Sequence, residues 1–160
     1  MKDPIFKRLL ELHPKFSDLS LTRITKLLKK LKFNEKKLPK VIHIAGTNGK
    51  GSTASIIKSL LNEHNYTSHL YTTPHLVKFN ERIQLYSKDI SDQLLLKYFY
   101  HCEKINQKNL ITYFEITTAA ALMAYQDHPA DFLILEVGLG GRFDATNIIK
   151  NKKYAAITPI

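Results

Sequence analysis

Residues 41–53 read VIHIAGTNGKGST, a short β-rich apolar run that stops at Gly46 and passes through a glycine loop into a helical pattern. Val41, Ile42 and Ile44 suit a buried strand, Gly46, Gly49 and Gly51 allow backbone shapes closed to other residues, and Ile56, Ile57, Leu60 and Leu61 recur at helix spacing. Such a turn cradles phosphate, because the first N–H groups of a helix are unpaired and lie at the positive end of its dipole. Lys50 then adds a point charge on the terminal phosphates, and the Ser52 or Thr53 hydroxyl faces Mg²⁺. The general P-loop pattern is broken twice, by Ile44 in place of a glycine and by Gly51 in place of a Ser or Thr. The competing reading is an ordinary strand, turn and helix in which the glycines only cap and Lys50 is a solvated loop lysine.

The surrounding composition narrows the class. At 160 residues the chain fits one domain with one core, and 44% hydrophobic with 24% charged residues argues against wholesale disorder. The lone Cys102 excludes an intrachain disulfide framework. Asp3 and Glu11 interrupt any signal-peptide core near Met1, and no apolar run reaches bilayer length, so a cytoplasmic enzyme is expected. The net charge of +10 attracts anions. The lysines lie in short scattered pairs (Lys29-Lys30, Lys36-Lys37, Lys152-Lys153), not in an aromatic-interleaved stripe, so nucleic-acid binding is not expected.

Working outward, Ile5, Leu9 and Leu12 have helical spacing over residues 3–12, which His13-Pro14 ends. Ser20 is read as the cap of a second helix with Leu21, Ile24, Leu27, Leu28 and Leu31 on its apolar face and Arg23, Lys26, Lys29 and Lys30 mostly on the other. Residues 32–40 read as a polar connector, 69–72 as a strand, and Ile83 and Leu85 as an extended piece. Ser91 caps a predicted helix to about Gln107, and a further helix is predicted over 112–126. Residues 131–136 and 154–157 read as strands. Strands alternating with helices imply an α/β fold with a doubly wound, mainly parallel sheet, whose ligands collect beyond the carboxyl ends of the strands.

Glu136 ends the run Phe132, Leu133, Ile134, Leu135 at that edge, where a carboxylate suits Mg²⁺; a pairing with Arg142 is the alternative. The loop 138–141 lacks a dinucleotide fingerprint, since Phe143 stands where the third glycine belongs. Asp144 and Asn147 either bind a polar ring edge or form Asx turns. Thr73-Pro74-His75 is a rigid hydroxyl-and-imidazole loop, and Glu115 is either a helix-dipole partner or a buried-site carboxylate.

Taken together, GTNGKGST, TPHLVKFNERI, TYFEITTAAAL and LEVGLGGRFDATN, in this order, closely resemble folylpolyglutamate synthase and its bifunctional dihydrofolate synthase relatives in the Mur ligase superfamily. The G-T-N-G-K-G-[ST] variant of those ligases accounts for both departures from the general P-loop. The resemblance implies an ATP-dependent amide ligase that joins L-glutamate to dihydropteroate or a folate through an acyl phosphate. It implies catalytic roles for Lys50 and Glu136, and ATP held by Thr47, Asn48, Gly49, Lys50, Gly51 and Ser52. Mg²⁺ would be served by Ser52, Thr73 and Glu136. Substrate would be contacted by Leu12, His13, Pro14, Lys15, Thr112, Tyr113, Phe114, Glu115, Phe143, Asp144 and Ala145.

The family commonly has Ser at the position of Thr73 and Leu at that of Phe143. Relatives also continue with a metal-completing histidine, a carboxylated lysine and a C-terminal domain. Residues 1–160 are therefore expected to form an incomplete N-terminal ATP-binding domain, inactive alone and poorly soluble, from a monomeric parent enzyme. The rival readings are a muropeptide ligase of the same superfamily and a nucleotide-binding module without ligase chemistry.

Overall fold

Val41, Ile42 and Ile44 lie in β1 (Lys40–Ala45), an inner strand with a parallel partner on each side, which is why the run is apolar without strict alternation. The computed structural model describes residues 4–11 and 20–160. β5 (Phe132–Glu136) and β6 (Lys152–Ile157) flank β1, and β2 (Ser68–Tyr71) lies parallel beyond β5. β3 (Ile83–Leu85) and β4 (Lys88–Asp89) extend that side in the antiparallel sense, giving the order β4-β3-β2-β5-β1-β6. The result is an α/β domain with a mostly parallel, mixed sheet of six strands. Its helices are α1 (Pro4–Glu11), α2 (Thr22–Lys30), α3 (Lys50–Glu63), α4 (Asp92–Asn106) and α5 (Tyr113–Asp127).

Neighbouring strand residues point to opposite faces. Ile42, Ile44, Leu70 and Ile134 therefore meet Ala54 beneath α3. Val41, Tyr71, Leu133 and Leu135 join the larger core with Leu27, Phe99 and Ile116 from α2, α4 and α5. α5 is buried at every position over 115–125, as a helix without a polar face must be, and Ala119, Ala120, Ala121 and Ala124 allow close approach. Two tyrosines bind it to β2: Tyr125 Oη donates to Leu70 O at 2.8 Å, and Tyr71 Oη pairs with Thr118 Oγ1 at 3.1 Å. Burial pushes the Tyr71 hydroxyl up to about 12.

The helix ends follow local chemistry. Ser91 Oγ accepts from Leu94 N at 3.3 Å, as a cap should. Thr112 is the cap of α5 and not its first helical residue. Ser20 stands one position ahead of the α2 cap, Leu21, and accepts from Thr22 N at 3.2 Å. On α3, Ile57 and Leu61 pack towards the sheet, but Ile56 and Leu60 remain 60% and 57% exposed. β6 forms the sheet edge beside β1, with Tyr154 and Ile157 exposed. Among the described residues no helix is long and apolar enough to cross a membrane.

Candidate active site

The chain leaves β1 at Ala45 and enters α3 at Lys50. Gly49, the N-cap of α3, has φ +80°, which a glycine adopts without strain, and no side chain caps this end. Lys50 Nζ donates to Thr47 O at 3.1 Å, folding the lysine back over the loop. The N–H groups of Thr47 and Asn48 donate to Pro159 O at 3.0 and 3.2 Å, so the segment after β6 steadies the turn. Gly51 and Ser52 follow in the first turn of α3.

Glu136, the buried last residue of β5, stands opposite Ile44 in register. Alternation sends its side chain to the α3 face together with Ile134. A Cβ on Gly51 would lie 3.7 Å from both Glu136 carboxylate oxygens and 3.8 Å from Thr72 Oγ1. The glycine loop and the acid thus share one rim. Glu136 Oε2 accepts from the Thr72 hydroxyl and from Thr73 N, the latter at 2.9 Å, so its partners are these threonines and not Arg142. The hydroxyl against Glu136 is accordingly that of Thr72. Thr73, the residue expected to serve the metal, brings its backbone N–H to the acid while the residue lines the cavity described next.

The local donors are hard oxygens: the Glu136 carboxylate and the Thr72 hydroxyl, with Ser52 next in sequence to Gly51 on the same rim. That set suits an ion such as Mg²⁺, which takes one or two carboxylates and completes its shell with phosphate and water. Among the described residues no group of three or more His, Cys, Asp or Glu could cage a metal. The residues therefore fit a metal that arrives with a phosphate ligand.

On the face of α2 and α5 a cavity of about 410 Å³ opens at the same end of the sheet. Of the expected substrate contacts, Thr112, Phe114, Glu115, Phe143, Asp144 and Ala145 line it. Tyr113 does not; it packs edge-on against Phe79, with ring centroids 6.1 Å apart. Leu12, His13, Pro14 and Lys15 lie outside the described residues. Gly138 is fixed by packing, since a Cβ there would fall 2.5 Å from Phe114 Cζ.

Glu115 stands in the first turn of α5 and is buried at the cavity wall. It closes a capping box, with its Oε2 2.7 Å from Thr112 N and its own N–H 3.1 Å from Thr112 Oγ1. Arg23 Nε donates to the same Oε2 at 3.0 Å, while Oε1 is buried without a hydrogen-bond partner among the described residues. Asp144 Oδ2 accepts from Gly138 N and Leu139 N at 3.0 and 2.9 Å, and Oδ1 from Thr146 N at 2.9 Å, so it builds the loop as well as lining the cavity. Asn147 Nδ2 donates to Arg142 O at 2.8 Å within that loop. His75 Nδ1 accepts from Arg82 Nε at 2.9 Å, and burial followed by the Arg82 charge lowers its pKa. The imidazole supports a cavity-lining arginine. Arg23 and Arg82 were not among the expected contacts: Arg23 reads as a polar-face residue of α2, and its bond to Glu115 spans 92 positions.

No family model matches the chain. It is 39% identical over 148 residues to the dihydrofolate synthase/folylpolyglutamate synthase of Haemophilus influenzae, covering 92% of this chain and 33% of that protein. With the Bacillus subtilis enzyme of the same name the identity is 42% over 137 residues, covering 81% and 32%. Escherichia coli FolC in complex with DHPP and ADP superposes with a TM-score of 0.87 at 36% identity, covering 98% of this chain and 38% of that one. A bifunctional folylpolyglutamate synthase/dihydrofolate synthase with Mn, AMPPNP and L-glutamate bound gives 0.85 at 35%, covering 98% and 38%. The chain spans about a third of the length of the curated relatives it matches. A glycine loop at the head of a helix, an acid on its rim and a lined cavity behind them coincide with these likenesses, and the chain is a homologue of the folylpolyglutamate synthase/dihydrofolate synthase family.

Proposed function

We propose that this chain is the nucleotide- and pteroate-binding part of an ATP-dependent ligase that joins L-glutamate to dihydropteroate or to a folate, a cytoplasmic and monomeric enzyme that uses Mg²⁺. The observation that carries this reading is the two-sided rim. Gly51 and Glu136 adjoin on the α3 face, and the cavity with Phe114 and Phe143 opens on the other. A flat aromatic ring held in that cavity can send its carboxylate towards the phosphates. The pteroate carboxylate oxygen then attacks the γ-phosphorus as the bond to ADP breaks; the glutamate amine adds to the acyl carbon, gives up a proton, and phosphate leaves.

In this reading Thr47, Asn48, Gly49, Gly51 and Ser52 cradle the phosphates and Lys50 neutralises the transferring group. Glu136, Ser52 and the Thr72-Thr73 pair would hold the divalent ion, which supplies charge neutralisation on the phosphoryl oxygens when bound. Turnover also requires the reacting groups to be positioned and shielded from water. The relatives carry about two thirds of their length beyond the part matched. Binding without turnover is the expected behaviour of this chain.

Calorimetry tests the assignment. The native chain should bind both a non-hydrolysable ATP analogue with Mg²⁺ and dihydropteroate. Lys50→Ala should weaken the nucleotide about tenfold or more and leave dihydropteroate unchanged. Preference for a UDP-sugar peptide would instead favour a muropeptide ligase. Nucleotide binding indifferent to pterins would leave only a phosphate-binding module.

A further inference from the structure

We infer that His43 and Thr146 are positioning residues for the cavity: they form a buried, proton-ordered chain from β1 that orients Asp144 and, through it, the backbone of residues 138 and 139. His43 lies on the Val41 side of β1, facing away from α3, and is only 7% exposed. Its Nε2 is 2.8 Å from Thr146 Oγ1, across 103 positions of sequence. Thr146 Oγ1 is in turn 2.5 Å from Asp144 Oδ1.

The direction of the protons follows from counting donors. A carboxylate only accepts, so the single hydroxyl proton of Thr146 goes to Asp144. Thr146 can then only accept from His43, and the imidazole must carry its proton on Nε2. Burial, with the charge of Lys152 adding to it, pushes the His43 imidazole down to about 4, in keeping with a neutral ring. Asp144 meanwhile receives Thr146 N, Gly138 N and Leu139 N in addition to the hydroxyl. Four donors occupy the four acceptor directions of one carboxylate, so its orientation is determined from every side.

Gly138, Leu139 and Asp144 all line the cavity, and His43 stands two residues before Ala45, where β1 ends ahead of the phosphate loop. One strand therefore registers both binding places. The ligand consequence rests on the pteroate reading above; the geometry of the relay does not.

The test begins with ¹⁵N-resolved NMR of the imidazole at pH 7, where the Nε2–H tautomer is expected in the native chain. His43→Leu keeps a similar bulk without a donor. It should speed amide exchange at Gly138 and Leu139 about tenfold while Leu133 and Ile134 stay protected, and should weaken dihydropteroate about tenfold with the Mg-nucleotide analogue unaffected. His43→Gln, whose amide nitrogen reaches nearly the same point, should restore both. Thr146→Val and Thr146→Ser form a second pair with the same expected loss and rescue, should His43→Leu fail to fold. An Nδ1–H tautomer, unchanged exchange at 138 and 139, or a glutamine as damaging as the leucine would overturn the inference. If the native chain takes up no dihydropteroate, the pteroate reading falls, and tautomer and exchange still decide the relay.

Discussion

On one face of the sheet Tyr71, Leu133 and Leu135 are covered by α2, α4 and α5 together, whereas on the other Ile42, Ile44, Leu70 and Ile134 meet a single helix, α3. The thick face holds most of the buried apolar side chains and a cavity whose walls are fixed by capping, ion pairing and the His43 relay. The thin face carries the glycine loop and Glu136 and leaves Ile56 and Leu60 in solvent. This division matches what each ligand of the proposed function would need. An apolar ring is bound by a shaped and rigid wall. A phosphate is bound by helix-end amides, which have to remain accessible. In the proposed reading, ring recognition falls on the side that carries most of the packing and phosphate binding on the other.

The sharpest way to break this comparison is to truncate matching apolar residues on the two faces. Phe99→Ala, at a fully buried position of α4, should cost about 3–5 kcal/mol in urea unfolding, and Ile57→Ala under α3 only about 1 kcal/mol. Equal losses would show that the thin face carries more than its packing indicates. Acid should act next, and on the thick face. The folded pKa of His43 lies near 4 against an ordinary value of 6.5, so the unfolded chain binds the extra proton between those values. Stability should fall as pH drops from 6.5 towards 4, by roughly 3 kcal/mol from this group. His43→Gln should flatten that slope, leaving the shares due to His69 and His75, whose pKa values burial also lowers. Thr112→Ala should cost about 1 kcal/mol through the lost capping box and loosen the cavity rim. Smallest of all, Leu60→Lys should shift stability by no more than about 0.5 kcal/mol while reducing self-association seen by light scattering.

The same contrast explains what could be read from the chain beforehand. The strand, loop and helix over 41–63, the cap at Ser91 and the strand-end Glu136 are local patterns, and each formed as its neighbours dictate. Thr72, whose hydroxyl donates to Glu136, was not among the expected metal residues, because that bond joins positions 64 apart and leaves no mark in the local pattern of 69–72. The apolar stripe Ile56, Ile57, Leu60, Leu61 declares a helix but not how much sheet lies beneath it, so half of it proved exposed. The Arg23–Glu115 and His43–Thr146 bonds join segments 92 and 103 positions apart, beyond the reach of periodicity. Tyr113 shares a motif with Phe114 and Glu115, yet successive residues of a helix diverge by about 100° and only those two face the cavity.

Even-numbered residues of β1 and β5 face α3 and odd-numbered ones face the larger core and its cavity. A deletion of one residue within β5 would turn Glu136 to the opposite face and remove it from the rim it shares with Gly51 in the same stroke. Strand length is consequently as unforgiving here as residue identity, and any redesign of either face has to add or remove strand residues in pairs.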